Sequence, residues 1–376
     1  MAYLVKSTES KQTFDCDIFC EVIDNYGDAG VCWRLARTLF AEKQWQVRLF
    51  VSNLTTLATI VPEVSQNLIE QKVQGITICQ WSLSEQTVPA RLVLETFACR
   101  LPNAYEQKLA SLKPQPIWIN LDYLSAEDWV EEWHQLPSPH PTLPINKYYF
   151  YPGFSNKTGG LIFEKDLLKK EQAFKKNQIN FLKELGASTD QYSLFVFCYP
   201  GKWLQLLGEA LLKDDRPIQL LLAPGKAREE LTSILNKHSH KNITIINLPF
   251  FDQKDFEKIL WSADSLIVRG EDSFVRAQMV ARPFLWNIYP IEDGAHIEKL
   301  EAFANKIRSH LKPNDEIWHD INLAWNTADS KFIELWPKWR DITETTHRKM
   351  KDWRDFLFSN GSLIDHLCKF AKERLK

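Results

Sequence analysis

DCDIFCEVIDNYGDAGVCWRLARTLFAEKQWQVRLFV, residues 15–51, decides the fold class. An apolar, β-rich run over Asp17–Ile23 reads as a strand. Val31–Lys43 follows with Val31, Leu35, Leu39 and Phe40 on one face of a helix, and Val47–Val51 reads as a second strand. Strand, loop, helix, strand is the grammar of a parallel α/β sheet. The loop between the first strand and the helix carries Asp24, Asn25, Gly27, Asp28 and Gly30. Its two glycines permit a tight turn and close backbone approach, but G-x-G-x-x-G is absent, which argues against a nicotinamide dehydrogenase.

Outward from this stretch the alternation continues. Ile76–Gln80, Leu92–Phe97, Ile117–Leu121 and Lys147–Tyr151 read as further strands. The Gly-, Ser- and Asn-rich segment 152–160 (PGFSNKTGG) then marks a boundary. A charged helix over Lys165–Leu185 opens a second alternation, with strands at Tyr192–Cys198, Ile218–Leu222, Ile243–Asn247, Ser265–Arg269 and Phe284–Ile288. Beyond His296 the pattern is helical and rich in tryptophan (Trp318, Trp325, Trp336, Trp339, Trp353), which reads as packing rather than as a stacking platform for bases. The expected division is 1–155 and 156–376, with the last helices, from about residue 354, packing back on the first domain. Two such domains place a ligand cleft where the carboxyl ends of their sheets face each other, so functional residues are expected just after strands.

Composition narrows the class. The 46 basic and 48 acidic residues leave a formal net charge of −2 and are interleaved, so no basic face for nucleic acid stands out. Seven cysteines without a C-x-x-C pair read as reduced, buried thiols, and neither they nor the nine histidines show metal-ligand spacing. Asp15-Cys16-Asp17 has a metal-binding D-x-D form but lies at the start of the first strand, away from the expected cleft. A polar N-terminus and the lack of a membrane-length apolar run point to a cytoplasmic protein without a membrane partner.

Several constellations follow strands directly. Asp28 can simply cap its helix and Asp24 can form an Asx-turn; two carboxylates and an amide in one strand-end loop nevertheless suit recognition or proton transfer. VRGEDSFVRAQ, residues 268–278, places Glu271, Asp272 and Ser273 at a helix start, where free N–H groups suit a pyrophosphate without a metal. Tyr199, and Phe250 or Phe251 in LPFFDQ (residues 248–253), are aromatics able to cover a base.

DNYGDAGVCWRLAR (24–37), ETFACRLP (95–102), DYLSAEDW (122–129), RGEDSFVRAQ (269–278) and PFLWNIYPIEDGAHIEKLEAF (283–303), in this order, resemble the EarP family of bacterial protein-arginine rhamnosyltransferases. The resemblance implies an α/β GT-B fold, two facing Rossmann-like domains with a helical C-terminal segment. The acceptor, elongation factor P, is then bound by the first domain, and the donor, dTDP-rhamnose, by the second. It further implies Asp24, Asn25 and Asp28 as the acceptor-side catalytic group, read here with Asp28 as base and Asp24 and Asn25 orienting the acceptor, and Glu271 as the essential donor-side carboxylate. Tyr199, Phe250, Gln253, Arg269, Gly270, Asp272, Ser273 and Tyr289 match positions expected to line the nucleotide-sugar pocket. No cofactor or metal is implied. A GT-B transferase with another nucleotide sugar or acceptor, and a non-catalytic module binding a translation factor, are the competing readings.

Overall fold

The computed structural model of the protein describes residues 15–23, 26–253, 255–291 and 294–375. Eight strands form the first sheet: β1 (Cys16–Cys20), β2 (Val47–Val51), β3 (Glu70–Val73), β4 (Ile76–Gln80), β5 (Leu92–Thr96), β6 (Ile117–Leu121), β7 (Pro137–Pro139) and β8 (Asn146–Phe150). Their order is β3-β4-β2-β1-β5-β6-β8-β7. β4, β2, β1, β5 and β6 are mutually parallel. β1, β2, β5 and β6 are buried along their whole length, as strands covered on both faces must be, and they are mostly apolar, with Asp17, Arg48, Glu95, Thr96 and Asn120 as buried polar exceptions. β3 and β7 pair antiparallel with β4 and β8. Neither was legible: EQKV and PSP are short and poor in β-branched residues, and β7 tolerates its prolines because it ends the sheet.

The second sheet holds β9 (Tyr192–Val196), β10 (Ile218–Leu222), β11 (Ile243–Asn247), β12 (Ser265–Arg269) and β13 (Phe284–Asn287), all parallel, in the order β11-β10-β9-β12-β13. The free edge of β13 is closed by a helix, Asp315–Thr327. Asn322 Oδ1 accepts the Trp286 N–H (2.8 Å), Asn326 Oδ1 accepts the Ile288 N–H (3.0 Å), and Asn326 Nδ2 donates to the Trp286 carbonyl (2.7 Å). The five C-terminal tryptophans are core residues, each at most 1% exposed. The expected helix over 165–185 is two, Leu167–Lys175 and Gln178–Glu184, interrupted at Asn177, a residue whose side chain competes for backbone groups.

Two compact units divide the described residues. One takes those within Met1–Asp122, Leu136–Tyr149 and Cys368–Lys376, the other Tyr123–Gln135 and Phe150–Leu367. The stretch 123–135 therefore groups with the second sheet, and of the last helix, Leu363–Arg374, only the part from Cys368 onward groups with the first. There Phe370 meets Tyr148 edge-on at 5.3 Å, and the Arg374 guanidinium lies over both rings.

Chain order in each sheet runs outward from one central strand and then restarts on its other side. The switch falls between β1 and β5 in the first sheet and between β9 and β12 in the second. Crevices at the carboxyl ends of such strand pairs are where open α/β sheets bind ligands. The loops after β1, β5, β9 and β12 are thereby singled out by topology alone.

Candidate active site

In the first unit, Asp24 and Asn25 lie outside the described residues. Asp28 is described, and it does not precede its helix. The helix begins at Tyr26 and runs to Lys43, which puts Asp28 inside the first turn at 2% exposure. Its Oδ2 accepts the Ile23 N–H at 3.0 Å, so the carboxylate ties the helix to the chain leaving β1, and it also favours the positive helix start. The expected helix start at Val31 was late because Tyr26-Gly27-Asp28 reads as turn chemistry.

Asp17 has a different fate. It accepts from Arg48 Nε (2.8 Å) and Nη2 (2.7 Å), from the Ala90 N–H (2.9 Å) and from the Tyr105 hydroxyl, wholly buried in the sheet. The D-x-D form is here a structural ion pair. Glu95 of the ETFACRLP motif is likewise buried. It accepts from the Trp118 indole (2.8 Å) and Lys147 (3.0 Å), and burial raises its pKa despite the nearby ammonium.

In the second unit, several predicted residues meet around the β9–β12 switch. The Arg269 guanidinium lies 4.8 Å over the Tyr199 ring and 4.7 Å over Phe197. Tyr199 meets Tyr289 edge-on at 5.3 Å, and a Cβ on Gly270, whose φ is +61°, would sit 3.4 Å from the Tyr199 hydroxyl. Glu271 precedes the helix Asp272–Met279, and its Oε2 accepts the Leu124 N–H at 3.0 Å, fastening the 122–129 segment to this turn. Ser273 does not cap by reaching forward. Its Oγ donates back to the Arg269 carbonyl and accepts the Arg269 N–H (3.2 Å), closing the turn on itself.

Asp272 and Gln253 are joined by a residue the sequence reading missed. Arg276, 2% exposed, donates to Asp272 Oδ2 (2.7 Å), to the Gln253 carbonyl (3.2 Å) and to Glu257. It brings the loop after β11 against the helix start after β12. The i,i+4 spacing of Asp272 and Arg276 was visible; the partner loop was not. Asn287 was missed as well: its Oδ1 accepts the Tyr199 N–H (2.8 Å), and no local pattern announces a link between strand ends far apart in sequence. Of the two candidate aromatics after β11, Phe251 packs near Phe181 (6.1 Å between centroids), whereas Phe250 is 54% exposed.

Among the described residues no group of three or more His, Cys, Asp or Glu side chains is arranged to hold a metal ion, and no helix is long and apolar enough to cross a membrane.

The chain matches a known family. A family model described as elongation factor P (EF-P) rhamnosyltransferase EarP matches residues 16–372. A protein-arginine rhamnosyltransferase of Pseudomonas putida is 40% identical over 85% of this chain and 91% of its own length. Another, of Shewanella oneidensis, is 36% identical over 95% and 97%. A solved structure described as the structural basis for EarP-mediated arginine glycosylation of translation elongation factor EF-P superposes with a TM-score of 0.65 at 28% identity, covering 96% of this chain and 99% of that one. The α/β build with two Rossmann-like sheets is thus that of the GT-B class, and the chain belongs to the EarP family of elongation factor P rhamnosyltransferases and is an enzyme of the glycosyltransferase class.

Proposed function

We propose that the protein transfers rhamnose from dTDP-β-L-rhamnose to an arginine side chain of elongation factor P, with inversion at the anomeric carbon, in the cytoplasm. The observation that carries this reading is the family match over residues 16–372. The strand-end chemistry of each unit supports it.

Arginine is a poor nucleophile because its guanidinium stays protonated, with a pKa above about 12. Asp24 and Asn25 orient the planar fork of the acceptor, and Asp28 takes one proton as the guanidine nitrogen bonds to the anomeric carbon. The anomeric C–O bond breaks with its electron pair leaving on the β-phosphate of dTDP. Glu271, fixed by the Leu124 N–H, stabilises the oxocarbenium charge that develops on the sugar. The leaving pyrophosphate is received by the N–H groups at the start of helix Asp272–Met279 and by Arg269. Asp272 and Ser273 shape that turn, while Tyr199, Phe250, Gln253, Gly270 and Tyr289 line the donor pocket.

The test is incubation with dTDP-rhamnose and purified elongation factor P, followed by intact-mass measurement and fragment mapping. One deoxyhexose on one arginine, α-configured by NMR, is expected. An unmodified factor, or a β-linked product, would sink the corresponding part of the reading. Turnover should persist in EDTA, since side-chain and backbone donors receive the leaving group; loss of turnover there would contradict the metal-free mechanism.

A further inference from the structure

We infer that Thr96, at the end of β5, is a positioning residue for Asp28, acting through a hydrogen-bonded lock that joins β1, β5 and the helix Tyr26–Lys43. The inference rests on the reading of Asp28 as the base.

Asp28 and Cys32 lie one turn apart on the same face of that helix. Thr96 Oγ1 donates to the Phe19 carbonyl of β1 at 2.6 Å, and Cys32 Sγ stands 3.3 Å from the same hydroxyl. With its proton on Phe19, the hydroxyl accepts the Cys32 S–H. Cys20, the last residue of β1, neighbours Cys32, and that neighbour and burial push its thiol pKa well up. Cys20, Cys32 and Thr96 are each at most 1% exposed. The helix therefore cannot rotate or slide against β1 without breaking a bond in a dry environment, and the carboxylate one turn before Cys32 moves with it.

A second, independent observation marks this turn. Phe97 and Ala98 both have φ of +55°, a left-handed conformation that residues with a Cβ avoid. This reversal lets Cys99 Sγ reach the same Phe19 carbonyl at 3.5 Å that Thr96 binds, while the Phe97 N–H is held by the Leu121 carbonyl at 2.8 Å. Such strain persists where the surroundings over-determine it, and it gathers at functional sites. The turn sits on β5, across the topological switch from the Asp28 loop on β1. ETFACRLP thus acquires a role: its Thr and Cys clamp the strand end that carries the base.

The experiment uses the full-length enzyme with dTDP-rhamnose and elongation factor P, comparing T96V, T96S, D28N and D28N/T96V by kcat, both KM values and thermal midpoint. T96V, which keeps shape and loses the hydroxyl, should lower kcat about 10- to 100-fold, the usual effect of a slightly misplaced catalytic group. Both KM values should stay within about twofold, and T96S should restore kcat. D28N/T96V should be no slower than D28N, because Thr96 acts only through the carboxylate. If T96V does not fold, C32A, which empties the middle of the lock, carries the same comparison. T96V with native kcat, T96S as slow as T96V, or losses that multiply in the double variant overturn the inference while leaving Asp28 as base. D28N with native kcat overturns the base reading, and this inference with it.

Discussion

Two buried aspartates eleven positions apart differ in what their carboxylates meet. Asp17 sits in a sheet interior with the Arg48 guanidinium across it, and Asp28 sits in the first turn of the helix after β1, where its Oδ2 accepts the Ile23 N–H. Asp28→Asn preserves the Ile23 contact in shape and removes the proposed base; turnover should fall about 10²-fold or more, the scale of general-base catalysis, with the thermal midpoint little changed. Steady-state kinetics beside a melting curve check both halves. Asp17→Ala should do the reverse, destabilising by roughly 3–5 kcal/mol because Arg48 is left as an uncompensated buried charge. Equilibrium urea unfolding measures this, and an unchanged midpoint would refute the structural role.

At the scale of elements, the turn after β12, the proposed donor side, depends on a glycine and on a long helix. Gly270 takes φ of +61° between β12 and the helix Asp272–Met279, and its carbonyl accepts the Trp286 indole N–H at 2.9 Å. An L-residue pays about 1–2 kcal/mol there, and its Cβ would meet the Tyr199 hydroxyl. Gly270→Ala should therefore raise the KM for the nucleotide sugar, with the KM for elongation factor P unaffected; equal changes in both would contradict a donor-side role. Trp353, fully buried on the helix Lys331–Ser359, donates to Gln278 Oε1 at 2.9 Å and so braces the helix Asp272–Met279. Trp353→Ala should cost about 3–5 kcal/mol, by the usual scale for emptying an aromatic core site. Calorimetry reads this directly.

For the molecule as a whole, two half-buried histidines of the second unit make stability depend on mildly acidic pH. Burial, then the nearby His366, holds His134 at about 4, and burial, then Arg282, holds His347 at about 4. His134 Nδ1 accepts the Tyr151 N–H at 3.1 Å, a bond that protonation there would break. In the unfolded chain both rings protonate near 6.5. The unfolded state therefore binds more protons between these values, and the contribution is complete above about pH 6.5 and lost as pH falls toward 4. The thermal midpoint should drop across that window, and the double variant His134→Gln/His347→Gln should flatten the drop; an unchanged slope would rule these rings out as its source.

The sequence by itself determined the alternating strands and helices, because parallel strands covered on both faces must be written as short apolar runs. Val47–Val51, Ile76–Gln80, Ile117–Leu121, Ile218–Leu222, Ile243–Asn247 and Ser265–Arg269 were legible to the residue. It also placed Asp28, Arg269, Gly270 and Glu271 after strands, where open sheets bind ligands. Only the tertiary structure decided which strand ends are neighbours across a switch point, since strand order is a property of pairing and not of local composition. For the same reason the Thr96–Cys32 contact, the Asn287 link to Tyr199 and the reach of Arg276 to Gln253 had no signal in the chain: each joins residues that only the folded sheets bring within hydrogen-bond distance.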